Sequence, residues 1–149
     1  MSTHEEANLI LKLYELRREE TMRKARDWYF REFNPSSMED VTNALFSEHS
    51  GHLRMVMTYW DMAAALVNHG AIGIDLFNDT NGEHIGVFAK VEPLLADMRA
   101  AYGPQFLANV EKLIDATPGG RERVAAMRQR TKAILAEIAA RQGKAAGQG

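Results

Sequence analysis

Three groups of residues in this 149-residue chain have types and spacing that could do chemistry. The first is the five histidines, His4, His49, His52, His69 and His84. His49 and His52 stand three apart beside Glu48, at the start of a helix. The His-Glu-x-x-His pattern of a helical zinc site is absent, so a metal would need ligands brought from elsewhere in the fold. Capping and solvated surface roles are the commoner fate of such histidines, and no metal or cofactor is expected. The second is Asp61, which follows Tyr59-Trp60 inside the most apolar helical run. A buried carboxylate is costly unless paired, and acids so placed are often tuned for proton transfer. Asp61 therefore marks either a small-molecule or enzymatic pocket shared with Tyr59 and His69, or a structural residue, in an ion pair with one such as Arg54 or Arg99 or exposed on a narrow polar stripe. Asn68 and Glu111 could also lie near it, but spacing fixes no second catalytic group. A structural role is the expectation.

The third is Asn78-Asp79-Thr80-Asn81-Gly82-Glu83. With Gly82 at position six of a calcium loop, Asp79 and Asn81 fall at positions three and five. Phe77 and Phe88 then occupy positions one and twelve, where carboxylates must bind the ion. The segment reads as a turn. Other chemistries are excluded more simply. The chain has no cysteine, hence no disulfide framework, thiolate metal site or cysteine nucleophile. Gly119-Gly120 lacks the lysine and hydroxyl of a phosphate-cradling loop. An enzyme is less expected than a binding protein.

The elements that must position these residues are helical. No alternating run bounded by hairpin chemistry occurs, and the apolar residues fall at spacings of three and four. The expected fold is an all-α bundle of six to seven helices with a long N-terminal and a long C-terminal helix, in one domain over residues 1–142. The first helix is expected from Glu5 to Phe33, ending before Pro35, and would be about 43 Å long. A compact domain of this length is only about 38 Å across, so one end must project, bend or pack on a partner. Ser36 and Glu39 are spaced as a capping box for a short second helix. Ser50 caps a third, apolar all round and closed by Gly70, which should be the buried central helix. A stripe of Ile85, Phe88, Val91, Leu95, Met98 and Tyr102 follows, interrupted at Pro93, and Gly103-Pro104 forces a stop. Thr117-Pro118 opens the last helix, with Val124, Met127, Ile134, Leu135 and Ile138 on one side at heptad-like spacing. Residues 143–149 have nothing to bury and are expected to be a flexible tail.

The net charge of −2 hides an asymmetry. Residues 1–34 hold seven acids and seven bases, residues 35–115 eleven against four, and residues 116–149 two against seven. An acidic middle and a basic end can attract one another, within one chain or between two. Arg121, Arg128 and Arg130 in the last helix could instead contact phosphates, but no aromatics interleave and nucleic acid is not favoured. The N-terminus has no basic leader and no run approaches the length of a membrane span, so a cytoplasmic protein without membrane association is expected.

The block Tyr59-Trp60-Asp61-Met62-Ala63-Ala64-Ala65-Leu66-Val67-Asn68-His69-Gly70-Ala71-Ile72, then Leu76-Phe77 and Pro93-Leu94, resembles a pattern in an uncharacterised bacterial family of small all-helical proteins, a domain of unknown function. The likeness spans about residues 55–100 and implies an all-α fold and no particular activity. Members of that family often carry an N-terminal membrane anchor, and no stretch of this chain corresponds to one.

Taken together, a non-catalytic module for self-association or protein binding is expected, with a dimer favoured. Leu9 and Leu13 near one end of the first helix, and Phe30 and Phe33 near the other, are the candidate interface. A nucleic-acid-binding module using the basic last helix is the alternative, and a small-molecule or enzymatic site near Asp61 a further one.

Overall fold

The computed structural model describes residues 3–147, and no strand occurs among them. The elements are α1 (Thr3–Arg17), α2 (Glu20–Arg31), α3 (Met38–Leu45), α4 (Ser50–Asn68), α5 (Ile74–Thr80), α6 (Glu83–Val91), a 3-10 turn (Glu92–Leu94), α7 (Leu95–Tyr102), α8 (Ala108–Ala116) and α9 (Gly120–Gly147). The all-α class stands, but there are more helices than the six to seven expected, because two expected helices divide.

The first division corrects the long N-terminal helix. The chain leaves helical geometry at Glu19 (φ −57°, ψ 145°), whose carboxylate accepts from the Met22 amide at 3.0 Å and so caps α2. Arg17 to Glu20 offers four charged side chains and nothing to bury, so one straight helix has no packing to sustain it there. The backbone amides of Thr21 and Met22 hold the Glu19 carboxyl below its usual range. The C-terminus of α1 is tied across the bend by Arg26, which donates to the Arg17 carbonyl at 3.3 Å. The second division falls at Pro93, where the 3-10 turn separates α6 from α7. At the start of α3 the cap is Ser37 rather than Ser36: Ser37 accepts from the Asp40 amide, while the Ser36 amide donates to Asp40 at 2.8 Å. Asn78 to Thr80, expected as a turn, instead form the last residues of α5.

One core runs from Leu13 to Val124. α4 is central to it, burying Leu53, Val56, Met57, Trp60, Ala63, Ala64 and Val67 on one face. Its other face reaches solvent, with Met62 45% exposed, so α4 is not buried all round as expected. The helix closed on every side is α6, whose residues 84–89 and Val91 are all buried. α6 is held against α2 by Tyr29, whose hydroxyl donates to the Val87 carbonyl at 2.7 Å. Gly86 permits that closeness, because a Cβ there would meet the Phe30 ring at 3.2 Å and the Met127 side chain at 3.9 Å. Gly70 closes α4 in the left-handed conformation, φ 84°, as its place in the sequence requires.

α9 is the element that outruns the globule. Its 28 residues make a helix about 42 Å long, yet only Gly120 and Val124 are buried. It continues through Gly143, where a flexible tail was expected, to Gly147; residues 148 and 149 lie outside the described residues. Among the described residues no helix is long and apolar enough to cross a membrane.

Candidate functional site

Asp61 is neither exposed nor paired to arginine. Its Oδ1 accepts from the amides of Asn109 and Val110, both at 3.0 Å, and its Oδ2 accepts from the Asn109 side-chain amide at 3.2 Å. Those amides belong to the first turn of α8, whose N-cap position is filled by Leu107, a residue with no side-chain acceptor. Asp61 is thus the missing cap, supplied from α4 across the interface and favourably placed on the positive end of α8. Asn68, two turns along α4, donates to the Asn109 carbonyl at 3.0 Å and completes the clamp. The two arginines expected near Asp61 are engaged elsewhere. Arg54 donates to the Ser50 carbonyl of its own helix, and Arg99 to the Phe106 carbonyl and Glu111.

Beside Asp61 opens a cavity of about 470 Å³ between α4 and the segment joining α7 to α8. Met57, Met62 and Phe106 supply its apolar walls, and Thr58, Asp61 and Tyr102 its polar ones. Tyr59 and His69, expected to share a site with Asp61, are not there. Tyr59 turns the other way and donates to the Leu13 carbonyl of α1, while His69 is the exposed C-cap of α4. Burial pushes the Tyr59 hydroxyl up to about 12.

A second cluster joins three helices. Glu83, the first residue of α6, receives Arg26 at 2.8 Å on each oxygen and the Trp60 indole N–H at 3.0 Å. Both carboxylate oxygens are thus engaged by donors from α2 and α4. A third cluster fastens α9 to the acidic middle of the chain. Arg121 donates to Asp115 at 2.6 Å, Glu92 at 2.8 Å and Glu111 at 2.9 Å, and Arg128 pairs with Glu92. The hydrogen bond from Arg121, and with it that from Arg99, holds the Glu111 carboxyl below its usual range. Two of the three candidate phosphate contacts, Arg121 and Arg128, are therefore spent on the chain's own carboxylates, while Arg130 is exposed. The attraction between acidic middle and basic end acts within the chain.

The candidate interface residues are also used internally. Leu13 and Phe33 are 4% exposed and belong to the core, and Leu9 and Phe30 are half-buried against it. The bend at Glu19 lets α1 and α2 fold back on the globule, so these four residues pack on the core of their own chain. Other apolar side chains are left in water: Leu11, Tyr14 and Leu16 on α1, Phe46, Met62 and Tyr102, and Ile134 at 52% and Ile138 at 46% exposed on α9.

Two further titratable groups, half-buried Lys90 and fully buried His84, sit in the interior without any signal in their spacing. Lys90 donates to the Phe33 carbonyl at 2.8 Å, the Phe30 carbonyl at 3.2 Å and Asn34 at 2.7 Å, capping the end of α2, and burial pushes it down to about 8. His84 is fully buried between Trp60 and Phe77, with neither ring nitrogen hydrogen-bonded. Burial, and then the charge of Arg123, pushes it down from 6.5 to about 4. The unfolded chain protonates this ring below about pH 6.5, whereas the folded chain resists until about pH 4, so stability is complete above the first value and falls on acidification between the two. The loss amounts to about 3 kcal/mol. His84→Leu is expected to flatten that part of the curve of urea midpoint against pH. An unchanged slope in the variant would assign the acid sensitivity to other groups. Among the described residues no three histidines, aspartates or glutamates stand together where they could hold a metal ion.

These features define an all-helical domain in which the polar clusters mostly join helix to helix. Residues 2–117 match the model of a family described as a domain of unknown function, DUF4760, and the chain belongs to that family. The matched region ends at Thr117, so α9 lies beyond it. No curated protein and no solved structure matches the chain.

Proposed function

We propose that this protein is a non-catalytic helical module that associates with a second copy of itself through the outer half of α9. One observation carries the proposal. The stripe begun by Val124 and Met127 continues through Thr131, Ile134 and Ile138, but the globule ends before it does. Ile134 and Ile138 are therefore half in water on the face that, two turns earlier at Met127, packs on the core. Their spacing of four places both side chains on one seam. A second copy arranged about a two-fold axis presents the same seam, so isoleucine meets isoleucine and both are covered. The alanines at 139, 140, 145 and 146 leave room for close helix approach. Where α9 leaves the globule, Thr131 and Leu135 face Pro35, Pro93 and Leu94 across a groove of about 390 Å³, which gives the end of the partner helix space to lie in.

The seam is only about four turns long, smaller than a standard interface, so association is weak and falls at micromolar concentrations. From Arg130 onward α9 carries Arg130, Lys132, Arg141 and Lys144 against Glu137 alone, and two such helices repel. Salt screens that repulsion, so the dimer is expected to tighten as ionic strength rises. Sedimentation equilibrium at high micromolar concentration, at low and high salt, tests this. Ile134→Glu with Ile138→Glu should give a monomer of unchanged helicity, since neither residue contributes to the core. A strictly monomeric wild-type protein at both salts would overturn the proposal. Phosphate binding by the same helix has the opposite salt dependence, weakening as salt rises.

A further inference from the structure

We propose that the cavity between α4 and the α7–α8 segment binds a small organic amine, with Asp61 as counter-ion. Asp61 is a half-buried carboxylate that takes part in none of the ion pairs formed among the described residues. Its charge is balanced by the α8 N-terminus alone, and its Oδ2 accepts a single hydrogen bond, at 3.2 Å. An ionised carboxylate oxygen has room for a second, and Asp61 forms part of the cavity wall. The remaining walls suit the body of an amine rather than an anion. Met57 and Met62 are polarizable thioethers that adapt to an alkyl chain, and the aromatic residues Tyr102 and Phe106 line the same cavity, where ring faces can attract a cation. No lysine or arginine lines the cavity to pair with an acid. A volume of about 470 Å³ is within the range of small-molecule sites.

The wall itself is built at a cost. Leu107 is buried yet sits in the left-handed region, φ 53° and ψ 25°, and it is the one non-glycine residue with positive φ among those described. A leucine there is strained, and the conformation persists only because the surrounding packing over-determines it. Gly103, with φ 123°, opens the same segment. A free primary ammonium entering it would donate to Asp61 Oδ2 while its apolar body lay between the methionines and the rings.

The test uses the full chain, carbon-13-labelled at the methionine methyls, titrated with n-hexylammonium and with its neutral and anionic counterparts n-hexanol and n-hexanoate. Hexylammonium should shift the Met57 and Met62 methyl signals saturably and bind at least about tenfold more tightly than hexanol, the margin of one charge-assisted hydrogen bond. Hexanoate should not saturate. Asp61→Asn keeps an acceptor for the α8 amides and should lose that margin. Met62→Lys changes a half-exposed residue and seats the protein's own ammonium beside Asp61, so it should abolish binding even if Asp61→Asn proves too unstable to study. Equal binding of hexylammonium and hexanol, undiminished binding to Met62→Lys, or no saturable shift in the wild type would overturn the proposal.

Discussion

Glu83→Ala is expected to lower stability by about 3 kcal/mol, measured as a fall in the urea midpoint. Glu83 is the point at which α2, α4 and α6 are joined, through the Arg26 guanidinium and the Trp60 indole. Its side chain is 17% exposed and that of Arg26 23%, so the pair is screened only in part. Removing the carboxylate leaves a guanidinium and an indole N–H in a confined site without their acceptor. The cost of breaking a buried pair in this way is about 3–5 kcal/mol, and the residual exposure argues for the low end. Glu83→Gln should fall between, because the amide oxygen still accepts from Trp60 while the charge is gone. Arg26→Ala and the double variant close a cycle in which a coupling above about 1 kcal/mol is expected. A loss below about 1 kcal/mol for Glu83→Ala would show that water enters the site freely and that the three helices are held by apolar packing alone.

Backbone punctuation made much of this fold legible. Pro35, Gly70, Pro93 and Gly103-Pro104 each end an element where the sequence placed the end, since each acts on its own residue or its neighbour. The break at Glu19 was hidden because arginine and glutamate are good helix formers, and only the packing of α1 and α2 on α4 makes the bend favourable. The stripe on α6 was visible, but not that α2 and α9 would close its other sides; the small residue that lets them do so, Gly86, has no local signature. Tertiary partners were the least legible. Asp61 stood out by its apolar surroundings, yet its acceptors' donors lie 48 and 49 residues away on α8. Tyr59 and His69 seemed its companions by proximity in sequence. On a helix Tyr59 points about 200° away from Asp61, and His69 lies about 12 Å further along the axis. The charge blocks foretold that α9 would meet the acidic middle, though not that Arg121 and Arg128 would be consumed in doing so.

Gly120→Ala is expected to destabilise the protein by about 3 kcal/mol or more and to loosen α9 as a whole. Gly120 is the first residue of α9 and is buried against the end of α8. A Cβ built on it would lie 2.1 Å from the Ile114 carbonyl oxygen and 3.0 Å from the carbon of that carbonyl. Both are backbone atoms in the last turn of α8, and neither can swing aside as a side chain would, so the start of α9 must retreat. That retreat withdraws Val124 from the core and lengthens the contacts of Arg121 with Asp115, Glu92 and Glu111. Overpacking costs about 1–3 kcal/mol on its own, and the loss of the arginine contacts adds to it. Gly143→Ala is the control: it lies in the same helix with nothing within 4 Å of its Cβ, so alanine's better helix propensity should leave stability equal or higher. The two substitutions are chemically identical and differ only in what surrounds the added methyl. Urea midpoints, with amide exchange along α9, separate them. If Gly120→Ala were as harmless as Gly143→Ala, α9 would be resting loosely on α8, and a seam projected from a loosely held helix could not give a defined dimer.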